Sequence, residues 1–396
     1  MSHETSAAQH LQVALATGHL ALDIYAGSDS VDALLGFASR ANRKRGFLFV
    51  SKVLGKHWPA TPAAMRRVHG ALAAQVAAAE LPQPLVFIAM AETAIGLGQG
   101  VFEAFMTQQP QAQALFLHST RYHLGASPLL EFAEEHSHAP QQYLHLPSAP
   151  AQQALMLGAR TLVLVDDEAS TGKTFVNLAQ ACGAINPALS HIHLATIANF
   201  VGRSQAADLA QRFGLPVTSS ALLQGEFRFA ANDFAVDAPP AQGVVAEHES
   251  GASGLFGRLG LLRPLRLCSQ RVAAISASIP LGESVLVLGT GEFMHMAFLL
   301  GAALEAQGHE PRVQSSTRSP ILTGGAISCG MQFADNYGEG IANYLYNVTP
   351  GQYQHVLICH ETPPNAALYE FARILGGRLL HFLAEDHIEE IPVCGS

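Results

Sequence analysis

The stretch Thr161-Leu-Val-Leu-Val-Asp-Asp-Glu-Ala-Ser-Thr-Gly-Lys-Thr174 constrains the chain most. Thr161 to Val165 is short, apolar and largely β-branched, the pattern of a buried parallel strand. Asp166 and Asp167 follow it directly, and a polar turn, Ala169 to Thr174, comes next. Phe175, Leu178, Ala179 and Cys182 then fall on one face of a helix that Gly183 can close. Amides at a helix start carry the positive end of the helix dipole, so the turn suits a phosphate. Gly172 lets a ligand approach the backbone, Ser170, Thr171 and Thr174 add hydroxyls, and Lys173 adds a charge. Carboxylates accept hydrogen bonds and donate none, so Asp166 and Asp167 suit the vicinal hydroxyls of a ribose. One ligand with both features is a ribose 5-phosphate. Gly172-Lys173-Thr174 also matches the tail of a P-loop. That motif needs a glycine where Asp167 stands, and two carboxylates there would repel a triphosphate.

The stretch resembles the phosphoribosyl-pyrophosphate (PRPP) motif of type I phosphoribosyltransferases: apolar strand, Asp-Asp, a few variable residues, Thr-Gly-x-Thr. The resemblance implies that Asp166 and Asp167 hold the ribose hydroxyls and that Ala169, Ser170, Thr171, Gly172, Lys173 and Thr174 hold the 5-phosphate. It also implies PRPP as substrate with Mg²⁺, reached by Asp166 and Asp167 through the ribose and diphosphate. The small-molecule acceptor is left open, and the expected assembly is a homodimer.

Strands and helices alternate around this stretch from about residue 47 to 218, so the expected fold is α/β, a doubly wound and mainly parallel sheet with ligands at the strands' carboxyl ends. Thr61-Pro62 opens a helix with Met65, Val68, Leu72 and Val76 on its apolar face. Strand 84–90 leads into Glu92, Thr93, Ala94 and Gly96, a small-residue loop before another helix. The resemblance makes this loop the pyrophosphate site, where Glu92 is unexpected without a bridging Mg²⁺. Strand 114–118 ends near Arg121, the best cation to meet a diphosphate. The long interval to strand 143–146 is assigned to the family's closing loop. Within it, His136 and His138 read as a polar loop, since one His-x-His is too few ligands for zinc. Glu134, Glu135 or His136 is an open choice for proton transfer.

The chain is 49% hydrophobic and only 13% charged, with 22 basic against 31 acidic residues, so nucleic acid and anionic membrane are poor partners. In so few cations the block from Arg43 to His57 stands out. Lys52, Lys56 and His57 read as a clamp for pyrophosphate or an acidic substrate, with Lys52 and Lys56 among the catalytic candidates. Arg43 to Arg45 reads as a solvated turn. Five scattered cysteines fit a reduced, cytosolic protein. No signal peptide or membrane-spanning apolar run is visible.

Residues 1–36 read as a poorly packed arm or accessory strand, 37–218 as the transferase-like domain, 219–270 as a connector or hood, and 271–396 as a smaller α/β domain. In the last, strand 284–288 runs into Gly289, Thr290, Gly291 and Glu292. Met294 occupies the third glycine position of a dinucleotide fingerprint, which leaves only an anion or small-molecule cradle. Strand 312–315 runs into Thr317-Arg-Ser-Pro320, where Arg318 suits bidentate capture of carboxylate or phosphate. These four residues resemble the namesake motif of the TRSP domain, which follows phosphoribosyltransferase domains in proteins tied to bacterial tellurium-resistance and stress operons. Gly289 to Glu292, Arg318, Ser319 and Asp335 form the candidate site of this domain. The reading is a phosphoribosyltransferase moving a 5-phosphoribosyl group to a base-like acceptor. The alternatives are a PRPP-sensing module without chemistry and a second, hydrolase-like activity in the C-terminal domain.

Overall fold

A computed structural model describes residues 9–40, 42, 45–125, 129–133, 141–147, 149–234 and 251–393. The chain forms β1 (Gln9–Leu15), β2 (Gly18–Gly27), the single-turn α1 (Val31–Leu34), β3 (Leu35–Ser39), β4 (Phe47–Ser51), α2 (Pro62–Ala78), β5 (Leu85–Ala89), α3 (Ile95–Gln108) and β6 (Ala114–His118). It continues with β7 (Leu129–Ala133), β8 (Gln141–His145), α4 (Pro150–Gly158), β9 (Thr161–Ala169), α5 (Lys173–Ile185), β10 (His191–Asn199), α6 (Arg203–Phe213) and β11 (Val217–Ala231). One seven-stranded sheet runs β1-β2-β11-β10-β9-β5-β6. Its strands are parallel from β11 to β6, and β2 and β1 attach antiparallel at the far edge.

The apolar strands explain the layering. Side chains alternate faces along a strand. Phe87 and Val163 therefore pack on one side with Leu72, Val101 and Phe102 of α2 and α3. Val86 and Leu164 pack on the other with Met156, Phe175 and Leu178 of α4 and α5. Both faces of the parallel region are covered, as its continuous hydrophobicity demands. Residues 161–165 of β9 are buried and 166–168 emerge from the helical cover, so the carboxylates sit at the strand's carboxyl end.

Two boundaries differ from the sequence reading. The connector expected from residue 219 begins later, because β11 runs to Ala231 and pairs with β2. Phe227 and Phe229 pack on Phe47 there. The N-terminal segment is the accessory-strand alternative rather than a loose arm, with Leu20, Leu22 and Ile24 buried. The positions 43, 44, 134–136, 138 and 394 lie outside the described residues.

The second unit comprises α7 (Ser269–Ala277), β12 (Val285–Gly289), α8 (His295–Ala306), β13 (Pro311–Ser315), β14 (Gly330–Phe333), β15 (Asn343–Tyr346), β16 (His355–His360), α9 (Ala366–Leu375), β17 (Gly377–Ala384) and β18 (His387–Ile391). Its sheet runs β13-β12-β16-β17-β18, parallel except for β18. Among the described residues, no helix is long and apolar enough to cross a membrane.

A buried ionic clasp joins the units. Arg258, 1% exposed, donates from Nη1 to Glu361 at 2.7 Å and from Nη2 to Glu292 at 3.0 Å. Glu292 also accepts from the Thr120 hydroxyl at 2.6 Å and the Arg121 amide at 2.9 Å. Removing one partner of such a network strands a buried charge, which typically costs about 3–5 kcal/mol. Arg258→Met should therefore lower urea-unfolding stability by about that amount, with partial recovery when Glu292→Gln and Glu361→Gln are added. A loss below about 1 kcal/mol would refute the clasp.

Candidate functional site

At the carboxyl ends of β9, β5 and β6 lies a cavity walled by both units. Asp166, Asp167 and Glu168 come from the end of β9, Ala169 to Thr174 from the turn into α5, and Glu92 and Thr93 from the loop after β5. Arg121 comes from the loop after β6, Arg40, Arg45 and His57 from around the β3–β4 hairpin, and Thr317 to Ser319 from beyond β13.

The turn after β9 is shaped by Gly172, which is the N-cap of α5 at φ +67°. A glycine there has no side chain to bond the first-turn amides, of which the Lys173 N–H donates to the Thr171 hydroxyl at 3.5 Å. The left-handed backbone costs other residues about 1–2 kcal/mol, and a Cβ at 172 would meet Leu209 Cδ1 at 2.7 Å. Gly172→Ala should lower the melting temperature and weaken ribose 5-phosphate binding together. Calorimetry with ribose 5-phosphate checks this, and unaltered affinity would show that the turn does not hold the phosphate.

Three consecutive carboxylates need compensation. The Arg45 guanidinium pairs with Glu168 and lies over the Phe47 ring at 4.8 Å. Burial, and then the Glu168 charge, still push Asp167 up to about 6. Such a carboxylate favours any ligand that brings hydroxyl donors or positive charge.

The loop after β5 is fixed by its own bonds. The Ala91 amide donates to Ser119 Oγ at 2.8 Å, the Ala91 carbonyl accepts from Gln142 Nε2 at 3.0 Å, and the Ala91–Glu92 peptide is cis. Glu92 is buried and pairs with Lys56 at 2.6 Å and with Arg318 at 3.4 Å. Burial alone would raise its pKa, but the two cations outweigh it and hold Glu92 at about 2. Glu92 is thus compensated by protein cations, which answers the oddity of an acid in a loop expected to bind an anion.

Asp166, Asp167, the 169–174 turn, Glu92, Thr93, Arg121, His57, Arg318 and Ser319 share the cavity. The other expected site residues are placed elsewhere. Lys52 is not among the described lining residues; it bonds Asp32 Oδ1 at 2.8 Å near the surface. Lys56 is buried beneath, bonded to the Gly291 carbonyl at 2.8 Å and to Glu92. Ala94 and Gly96 start α3, with Ala94 buried and Gly96 against Met294. Among the described residues, the C-terminal candidates divide between this cavity and other contacts. Gly289 to Glu292 are buried, and Glu292 belongs to the clasp. Asp335 accepts from the amides of Tyr337 and Glu339, bracing a turn.

The solvated turn expected at Arg45 is a further correction, since its guanidinium is largely buried against Glu168 and two rings. A third acid after Asp-Asp, and a Phe-x-Phe pair beside Arg45, were the available signals. Arg40 carried none beyond its neighbourhood. His57 stays neutral in its buried position, held at about 3 by burial and by Lys56.

A family model described as phosphoribosyl transferase matches residues 34–226. A second, described as the TRSP domain C-terminal to that transferase, matches residues 256–375. No curated protein matches the sequence significantly. Among solved structures, the chain is similar to adenine phosphoribosyltransferase from Trypanosoma brucei, at 12% identity over 55% of this chain and 87% of that one, with a TM-score of 0.35. It is also similar to the enzymes of Giardia lamblia (16% identity, 48% and 94% covered, TM-score 0.32) and Leishmania tarentolae (12%, 48% and 84%, TM-score 0.35). With both family models matching in order, the chain belongs to the phosphoribosyl transferase family that carries a TRSP domain on its C-terminal side.

Proposed function

We propose that the chain transfers a 5-phosphoribosyl group from PRPP to a base-like acceptor, releasing pyrophosphate, in the synthesis of a nucleoside-like metabolite. One observation carries this reading: the Asp166–Asp167 pair and the amide- and hydroxyl-rich 170–174 turn leave one strand end and face one cavity. A ribose 5-phosphate spans such a pair of sites. As the diphosphate leaves, the ribose gains oxocarbenium character. Asp166 and Asp167 orient the ring and place negative charge beside the developing cation. Arg121 stands where the leaving diphosphate gathers negative charge.

The residues fit Mg²⁺ in one manner. Among the described residues no cluster of three or more His, Cys, Asp or Glu forms a ready cage. Mg²⁺ is commonly held by one or two carboxylates together with substrate phosphates. Asp166 and Asp167, with Asp167 raised to about 6 and in want of positive charge, supply that kind of donor set. The ion would neutralise charge on the departing diphosphate.

The unpaired thiols Cys182, Cys268, Cys329 and Cys359 support a reducing, cytosolic setting, and a homodimer is part of the same proposal. The test is pyrophosphate release from PRPP and Mg²⁺ with a panel of bases and base-like heterocycles. Acceptor-dependent release is expected. A purified protein that does not bind PRPP by calorimetry would sink the reading.

A further inference from the structure

We propose that Arg318, carried by the C-terminal unit, is the ligand for the diphosphate of the donor, so the transferase site is complete only with the TRSP segment in place. The inference rests on the transferase reading above and deepens it.

Position along the sheet edge assigns the ligand. The 5-phosphate turn follows β9. The loop of Glu92 follows β5, one strand over, and the loop of Arg121 and Tyr122 follows β6, two strands over. Neighbouring strands are roughly 5 Å apart, so a pentose anchored at β9 projects its C1 substituent toward β5 and β6. Arg318 sits at that end: its Nε pairs with Glu92 at 3.4 Å, and its guanidinium lies 5.2 Å from the centre of the Tyr122 ring. It therefore stands beside the leaving group.

The side chain is also held ready. Its Nη1 donates to Glu339, whose own amide donates to Asp335 at 2.6 Å. Tyr122 beneath it stacks on Tyr337, with ring centroids 4.3 Å apart. Thr317 pairs through its backbone with Tyr344 in both directions. Arg318 is only 9% exposed, yet among the described residues its Nη2 has no hydrogen-bond partner. A buried guanidinium N–H without an acceptor is costly unless a ligand supplies one. A planar fork with one arm fixed and the other open suits bidentate or bridging capture of diphosphate oxygens. Glu92 and Glu339 hold the cation in place of the ligand, so neither unit alone presents the arginine to the cavity.

Calorimetry on the full-length protein with two probes tests this: Mg²⁺-pyrophosphate and ribose 5-phosphate. Arg318→Gln should weaken pyrophosphate binding by about tenfold or more, the worth of one charge-assisted contact, and leave ribose 5-phosphate affinity within about twofold. Unchanged pyrophosphate affinity overturns the assignment, including the case where Arg318 serves a carboxylate of the acceptor. A wild-type protein that binds neither probe overturns the transferase reading itself. Should Arg318→Gln fail to fold, Arg318→Lys keeps the positive charge and loses the planar fork. Pyrophosphate should then bind more weakly with ribose 5-phosphate affinity unchanged, and unchanged pyrophosphate binding overturns the assignment.

Discussion

Asparagine at both 166 and 167 should abolish detectable PRPP and ribose 5-phosphate binding while raising the melting temperature. The two effects have one cause. Asp166, Asp167 and Glu168 are consecutive at the end of β9, and Arg45 pairs with Glu168. Burial and the Glu168 charge push Asp167 up to about 6, so the apo protein is strained by its own anions there. Asparagine keeps the size and removes the repulsion, which should stabilise the empty site. The same change removes two charged acceptors for the ribose hydroxyls. Hydrogen bonds to charged groups contribute about 1.5–3 kcal/mol each, so losing two weakens binding on the order of a hundred- to ten-thousandfold. A site that gives up stability for binding behaves this way. Calorimetry with PRPP and thermal unfolding of the same samples check the pair of effects. Retained affinity would refute the ribose role of the aspartates, and a lowered melting temperature would show that they hold the fold instead.

What the sequence revealed follows contact distance. Strand, acid pair, turn and helix are contiguous between 161 and 185, so hydrophobic period and turn chemistry suffice for β9, the turn after it and α5. The helix from Pro62, capped by Thr61, was equally local. Charge clusters were not. Lys52 and Lys56 stood in a basic run, but their partners are Asp32 and Glu92, and no local pattern shows which lysine meets which acid. From residue 219 on, β11 reads as a connector because its antiparallel partner, β2, lies some two hundred residues earlier, near the start of the sequence. The Thr-Arg-Ser-Pro segment was read as part of a second site. Its role as a wall of the first depends on how two units pack, which no window of sequence contains.

Acid should destabilise the protein steeply before most of its carboxylates titrate. His57 and His69 are held at about 3, and His118, His193 and His360 at about 4, in each case chiefly by burial. All five are at most 5% exposed. In the unfolded chain a histidine takes up its proton near pH 6.5. Below that pH the unfolded state therefore binds more protons than the native one, and stability falls as pH falls. The loss continues until the native histidines titrate near pH 3 to 4. Each contributes about 1.4 kcal/mol per pH unit in that window. His145 and His191, also lowered by burial, act in the same direction, and Asp167, raised to about 6, and Glu339, raised by burial, oppose them. The net loss between pH 7.5 and 5.5 is on the order of 5 kcal/mol. Since domains are stable by only about 5–15 kcal/mol, the urea midpoint should collapse across this range. His69→Gln separates this cause from general acid sensitivity. Its lost edge-to-face contact with Phe298 lowers stability at every pH, but the slope against pH should shrink by one proton. A midpoint that stays level from pH 7.5 to 5.5 would show that these imidazoles keep access to water or to acceptors when folded.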